Sequence, residues 1–179
     1  MDPVFPALPG WYRTLFLYIE PVSTISPAVL AWLFPGPAWF HDQLIPSAAN
    51  TLTTPIPPLD ARTTMAITQL ANCYLLLGLI SSLVFRAVRD ALPGDPVAQE
   101  RIMGASLAAL AIADVISFIN LPSELKFAFA AWNPMTHGNI TFVIGLLAVR
   151  LAWFAGIGRT RYYYGQGKGK AKGESHKDD

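Results

Sequence analysis

The chain has 179 residues, 53% of them hydrophobic and only 14% charged, with a mean hydropathy of +0.37. A soluble domain carries about 25% charged residues, so this one lacks the polar surface to coat itself, and lipid is its expected solvent. A net charge of +1 offers no field for nucleic acid, and a single cysteine, Cys73, excludes an internal disulfide framework or an all-cysteine metal site.

In chain order, "MDPVFPALPG" has no basic region and the apolar segment after it is too long for a signal peptide, so that segment is expected to stay. A spanning helix needs roughly 20 mostly apolar residues, and residues 12–34 qualify. They contain "LYIEP", where Pro21 should remove a backbone hydrogen bond, kink the helix beside Glu20 and free the carbonyl near Leu17. Residues 35–62 are proline-rich and read as an irregular loop with polyproline character. His41 and Asp42 in that loop are too isolated to suggest a metal site.

A second span is predicted over 64–85, with Gln69 and Asn72 on one face. The charged stretch "RAVRDALPGDPVAQER" (86–101) reads as a loop with a Pro-Gly turn. The third span, 102–121, carries Asp114, Ser117 and Asn120 at steps of three, with Gly104, Ala108 and Ala111 suited to close packing. "FAFAAW" is too short to cross and reads as a shallow apolar turn. In "WNPMTHGNITF", Trp132 reads as an aromatic-belt anchor, Asn133-Pro134 and His137-Gly138 as a turn and a helix start. His137 is either a proton shuttle or simply solvated. The fourth span is 139–157, and Arg150 lies near enough to its end to snorkel as an interface anchor. Residues 158–179 form a glycine- and lysine-rich tail expected to be disordered.

The predicted fold class is therefore all-α: a polytopic four-helix transmembrane domain over 1–157 with a proline-rich first loop and a basic tail. Arg86, Arg89, Arg101, Arg159, Arg161 and the tail lysines fall on one side, against Arg62 and Lys126 on the other. The positive-inside rule then places both termini in the cytoplasm.

Glu20 should lie ~12 Å and Asp114 ~18 Å in from the cytoplasmic ends of their helices at a rise of ~1.5 Å per residue. Intramembrane carboxylates are costly and usually face a bundle interior or a wet cavity. Burial disfavours a carboxyl's charged form, while a second carboxyl in a more polar setting can stay ionised. Glu20 and Asp114 are thus the candidate general acid and base, in either order. Asn72 and Gln69 are candidate hydrogen-bonding partners of a substrate, as are Trp132, Asn133 and His137 at the far mouth. No HExxH, CxxC, GxSxG, Walker or GxGxxG arrangement occurs, so neither metal nor cofactor is expected.

"LYIEP" (17–21), "QLANCYLL" (69–76), "AIADV" (111–115) and "WNPMTHGNITFV" (132–143) resemble the pattern of a fungal family of small four-helix membrane proteins, over roughly residues 10–157. The plan is also similar to that of membrane sterol isomerases, and of the membrane cyclases and epoxide hydrolases of fungal polyketide and meroterpenoid pathways. The resemblance implies cofactor-free acid/base chemistry on a hydrophobic substrate, with Glu20, Asn72, Asp114, Trp132 and Asn133 at the matching positions. A histidine often follows the third-helix aspartate in the family; "ADVISF" has none, so a histidine-assisted mechanism is not implied.

The expected function is an endoplasmic reticulum membrane enzyme acting on a lipophilic secondary-metabolite intermediate, by epoxide hydrolysis or cyclisation. The alternative is a non-enzymatic sterol- or lipid-binding protein, or an assembly subunit for other membrane enzymes of a pathway. A transporter fits less well, because no internal repeat is visible.

Overall fold

The computed structural model describes residues 5–44, 56–126 and 128–165. Helix accounts for 76% of them, and they contain no strand. The helices are α1 (Trp11–Trp32), α2 (Pro37–Leu44), α3 (Ala61–Ala91), α4 (Pro96–Ile119) and α5 (Pro134–Ala155, pinched at Ile140). α1, α3, α4 and α5 are long and apolar enough to cross a membrane. A helical turn at Ser123–Lys126 and a 3-10 turn at Phe129–Ala131 lead from α4 to α5, the latter within the predicted apolar turn.

The helix starts lie where capping chemistry sets them. Asp60 accepts from the N–H groups of Arg62 (2.9 Å) and Thr63 (3.2 Å) at the head of α3. Asp95 and Asn133 cap α4 and α5, each followed by proline at a position where no N–H is needed. α5 ends at Gly156, whose φ of 78° supplies the left-handed turn. These caps start α4 and α5 earlier than hydropathy alone suggested. α3 also runs on to Ala91, because "RAVRDA" holds no breaker. The proline-rich stretch is not wholly irregular: Pro37 opens α2, which buries Phe40. Residues 45–55 of that loop lie outside the described residues.

Pro21 leaves the Leu17 carbonyl open to another donor, as its position predicts. The chain before it, Leu15–Ile19, forms a π-helical turn. The carbonyl of Leu17 accepts a hydrogen bond from Arg86 Nη2 at 3.3 Å, replacing the donor that proline lacks. Arg86 also lies over the Tyr18 ring, 5.3 Å from its centroid. A second π turn, Ile80–Val84, interrupts α3 and carries Ser81 to Glu20.

α1 and α3 approach through small residues, with Ala28 and Ala31 packed near Ile67 and Ala71. At Gly78 a Cβ would lie 2.5 Å from Ile25 Cγ1 and 3.2 Å from the Pro21 carbonyl, so glycine is what lets the backbones close. A separate core of Phe16, Phe85, Met103, Leu107 and Trp153 ties α1, α3, α4 and α5 together at the other end. Ile112 and Ile119 of α4 are each more than 60% exposed, an apolar outward face suited to lipid.

The stretch after α5 differs from the disorder expected of it. Fully buried Glu100 on α4 accepts from the backbone N–H groups of Tyr162 (2.6 Å), Tyr163 and Tyr164 (3.3 Å), and pairs with Arg159. The Arg159 guanidinium lies 3.7 Å from the Trp153 ring centroid. Tyr164 covers Gly104, which therefore serves this segment rather than a helix–helix contact. Residues 166–179 of the predicted tail lie outside the described residues.

Candidate functional site

The two intramembrane carboxylates predicted from sequence meet, and what joins them is Arg150. Its Nη2 lies 2.7 Å from Glu20 Oε1, and its Nη1 pairs with Asp114 Oδ2. The side chains are 2% (Arg150), 5% (Glu20) and 12% (Asp114) exposed. Ser81 Oγ donates to Glu20 Oε1 at 3.4 Å. Four helices therefore contribute: α1, α3, α4 and α5.

Arg150 is not an interfacial anchor. A guanidinium with two carboxylates in reach gains more from planar, charge-assisted hydrogen bonds than from snorkelling toward solvent. The cluster is only partly satisfied internally: Glu20 Oε2 and Arg150 Nε are buried without a hydrogen-bond partner among the described residues. Such atoms are costly, and here they belong to residues that line a cavity.

That cavity, about 650 Å³, is bounded by all four long helices and has Glu20, Asp114 and Arg150 in its wall. A second cavity of about 550 Å³ lies between α4, α5 and their connection, and Asp114 borders it as well. Tyr74, whose hydroxyl donates to Asn139 Oδ1 at 3.2 Å, borders both. The remaining walls are largely apolar. The arrangement can bind a hydrophobic molecule and present it with a carboxyl, a phenol and an amide.

The other predicted site residues go elsewhere. Gln69 and Asn72 lie on the exposed face of α3 and bond to each other, Asn72 Nδ2 donating to Gln69 Oε1 at 3.2 Å. Asn72 and Gln69 therefore do not reach a substrate in either cavity. Trp132 is buried rather than set in an aromatic belt, its Nε1 donating to the Leu125 carbonyl at 3.1 Å. Asn133 is spent on capping: its Oδ1 accepts from Thr136 N at 2.8 Å, and its Nδ2 donates to the Gln43 carbonyl at 3.0 Å. His137 is exposed, 2.9 Å from Thr141 Oγ1. None of these five lines the cavity that holds Arg150.

Arg150, Ser81, Tyr74 and Asn139 are the residues that sequence reasoning did not assign to the site. For Arg150 a signal existed: one cation and two anions inside four apolar spans invite pairing. Tyr74 carried none, since only the three-dimensional packing sets its ring against Asn139. Among the described residues no three His, Cys, Asp or Glu side chains gather as a metal ion would require.

Residues 5–160 match the family described as "Domain of unknown function (DUF7704)", and the chain belongs to that family. No curated protein and no solved structure matches the chain.

Proposed function

We propose that the protein is an integral membrane enzyme that opens an epoxide in a lipophilic intermediate, by hydrolysis or internal cyclisation, without a cofactor. The observation that carries this reading is the convergence of Glu20 and Asp114 on Arg150 in the wall of one apolar cavity. One guanidinium balances one carboxylate; the second carboxyl exceeds charge balance and is the group that exchanges a proton. Asp114 faces both cavities and engages Arg150 through Oδ2 alone, which suits it to contact the reacting oxygen. Glu20, more buried than Asp114 and held by Arg150 and Ser81, completes the pair.

In the reaction, a protonated carboxyl gives its proton to the epoxide oxygen as the C–O bond breaks. A carboxylate takes the proton from the attacking water or internal nucleophile. Low polarity around the site strengthens each of these interactions. The four apolar helices cross the bilayer, and the distribution of lysine and arginine supports cytoplasmic termini. The endoplasmic reticulum is the compartment we assign.

The test compares lipid extracts of a host lacking the protein with hosts restored by wild type, Glu20→Gln or Asp114→Asn, with membrane levels of each variant measured. An intermediate that accumulates without the protein, is cleared by wild type and persists with both amide variants supports the proposal. Full restoration by both amide variants overturns it.

The pairing of Arg150 with both carboxylates also favours a second reading, in which the triad is structural and the cavity only holds a sterol or pathway intermediate. On that reading the amide variants restore the profile.

A further inference from the structure

The two cavities share a strip of wall made by Tyr74, Asp114, Ser117, Asn139 and Val143. Four of these five carry polar side chains, whereas the walls on either side are mainly hydrocarbon. In the smaller cavity, past the strip, the polar side chain is Thr136, and its hydroxyl already bonds Asn133 Oδ1 at 3.0 Å. The rest of that lobe is built from residues such as Phe118, Leu125, Ile144 and Leu147. In the larger cavity, the hydroxyls of Ser23, Thr24 and Ser26 are spent on helix carbonyls at 2.7–2.8 Å. The other polar residues of that wall are Glu20 and Arg150, paired with each other, and Gln43, whose Nε2 donates to Asp42 Oδ2 at 3.1 Å.

We infer that the ligand is an elongated lipophile lying across both lobes, with an oxygen function inside its chain, held at the polar strip beside Asp114 and Tyr74. This rests on the proposed function and adds the substrate class: a linear hydrocarbon chain, not a compact ring system filling one lobe. The arm in the smaller lobe is hydrocarbon, because that wall offers it no free hydrogen-bonding side chain. The other arm ends near Glu20 and Arg150, in the more polar of the two lobes. Each lobe alone has the volume of an ordinary ligand site, roughly 300–1,000 Å³, so a chain occupying both is long.

The experiment is photolabelling of the full-length protein in lipid nanodiscs, with linear geranylgeranyl-length chains bearing a mid-chain epoxide and a diazirine at one end or the other. One probe is expected to label the larger lobe at Leu110, Phe142 or Leu146, and its isomer the smaller lobe at Phe118, Ile144 or Leu147. Leu147→Trp, which narrows the smaller lobe, is expected to weaken the full-length chain at least about tenfold and to leave a geranyl-length epoxide unaffected. The inference is overturned if both probes label one lobe only, or if Leu147→Trp weakens both chain lengths equally. Labelling reads binding and not turnover. Failure of the acid/base proposal therefore shows in the amide variants with two-lobe labelling intact, and failure here leaves that proposal standing.

Discussion

Arg150 Nη2 sits 2.7 Å from Glu20 Oε1, and the other terminal nitrogen of the same guanidinium holds Asp114. Residues 130 positions apart in sequence thereby lock α1 to α5, with α4 joined through the second carboxylate. Removing the cation strands two carboxyls in a largely apolar wall, whereas removing either carboxylate leaves one charge facing one opposite charge.

Stability should therefore respond asymmetrically. We predict that Arg150→Met loses about 3–5 kcal/mol, the usual cost of breaking a buried pair from one side. Glu20→Gln and Asp114→Asn should stay within about 1 kcal/mol of wild type, as hydrogen-bonded neutral replacements do. Thermal unfolding in nanodiscs measures all three. Equal losses for Arg150→Met and the amides would show that charge balance does not organise the site.

The bond from Arg86 to the Leu17 carbonyl makes a second prediction. Arg86→Met leaves that carbonyl unsatisfied and should cost about 1–3 kcal/mol. Pro21→Ala restores an N–H that can reach Leu17, so Arg86→Met should cost less in that background. A double-mutant cycle on unfolding free energies checks the coupling. Simple additivity would mean that Arg86 does not compensate for the proline.

Glu100 gathers three consecutive backbone N–H groups and Arg159, so it governs residues 158–165. Glu100→Gln should release this segment and make the backbone at Arg159 and Arg161 more readily cleaved by trypsin. The rate of cleavage at those sites in membranes, relative to wild type, reads the effect. Unchanged cleavage would show that other contacts hold the segment.

Asp60 gives a pH signature outside the membrane span. The hydroxyl of Thr63, then the N–H groups of Thr63 and Arg62, stabilise its ionised form and hold its pKa below the ordinary carboxylate value. A depressed folded pKa gives stability that is present above the unfolded value and lost as pH falls through the folded one, hence below about pH 4. The thermal midpoint of wild type should thus fall toward that of Asp60→Asn as the pH drops from about 5 to 3. Parallel curves would remove Asp60 from the acid response.

Element type was largely legible in the sequence, because long apolar runs bounded by Pro, Gly, Asp and Asn leave few alternatives. Hydropathy missed the ends: "RAVRDA" is polar yet continues α3, and the Asp95-Pro96 and Asn133-Pro134 caps start helices before the apolar residues begin. The missing donor at Pro21 and the freed Leu17 carbonyl could be read locally, since they lie four residues apart. The donor, Arg86, could not, being 69 positions away. The same limit split the site. Glu20 and Asp114 stood out as charges in hydrocarbon, whereas Asn72, polar as well, turns to the exposed face of α3. Depth follows from counting residues; which helix face turns inward follows from packing, here from Ala71 and Gly78 on α3.

The central claim is that the Glu20–Asp114 pair performs acid/base chemistry on a bound lipophile. Its most direct test is turnover of the accumulated intermediate by purified protein in nanodiscs, with ligand-induced thermal stabilisation recorded in parallel. The account predicts that wild type converts the compound, while Glu20→Gln and Asp114→Asn bind it and convert it about 10²–10⁴-fold more slowly. Conversion by both amide variants at the wild-type rate would contradict it, as would a wild-type protein that binds the compound and leaves it unchanged.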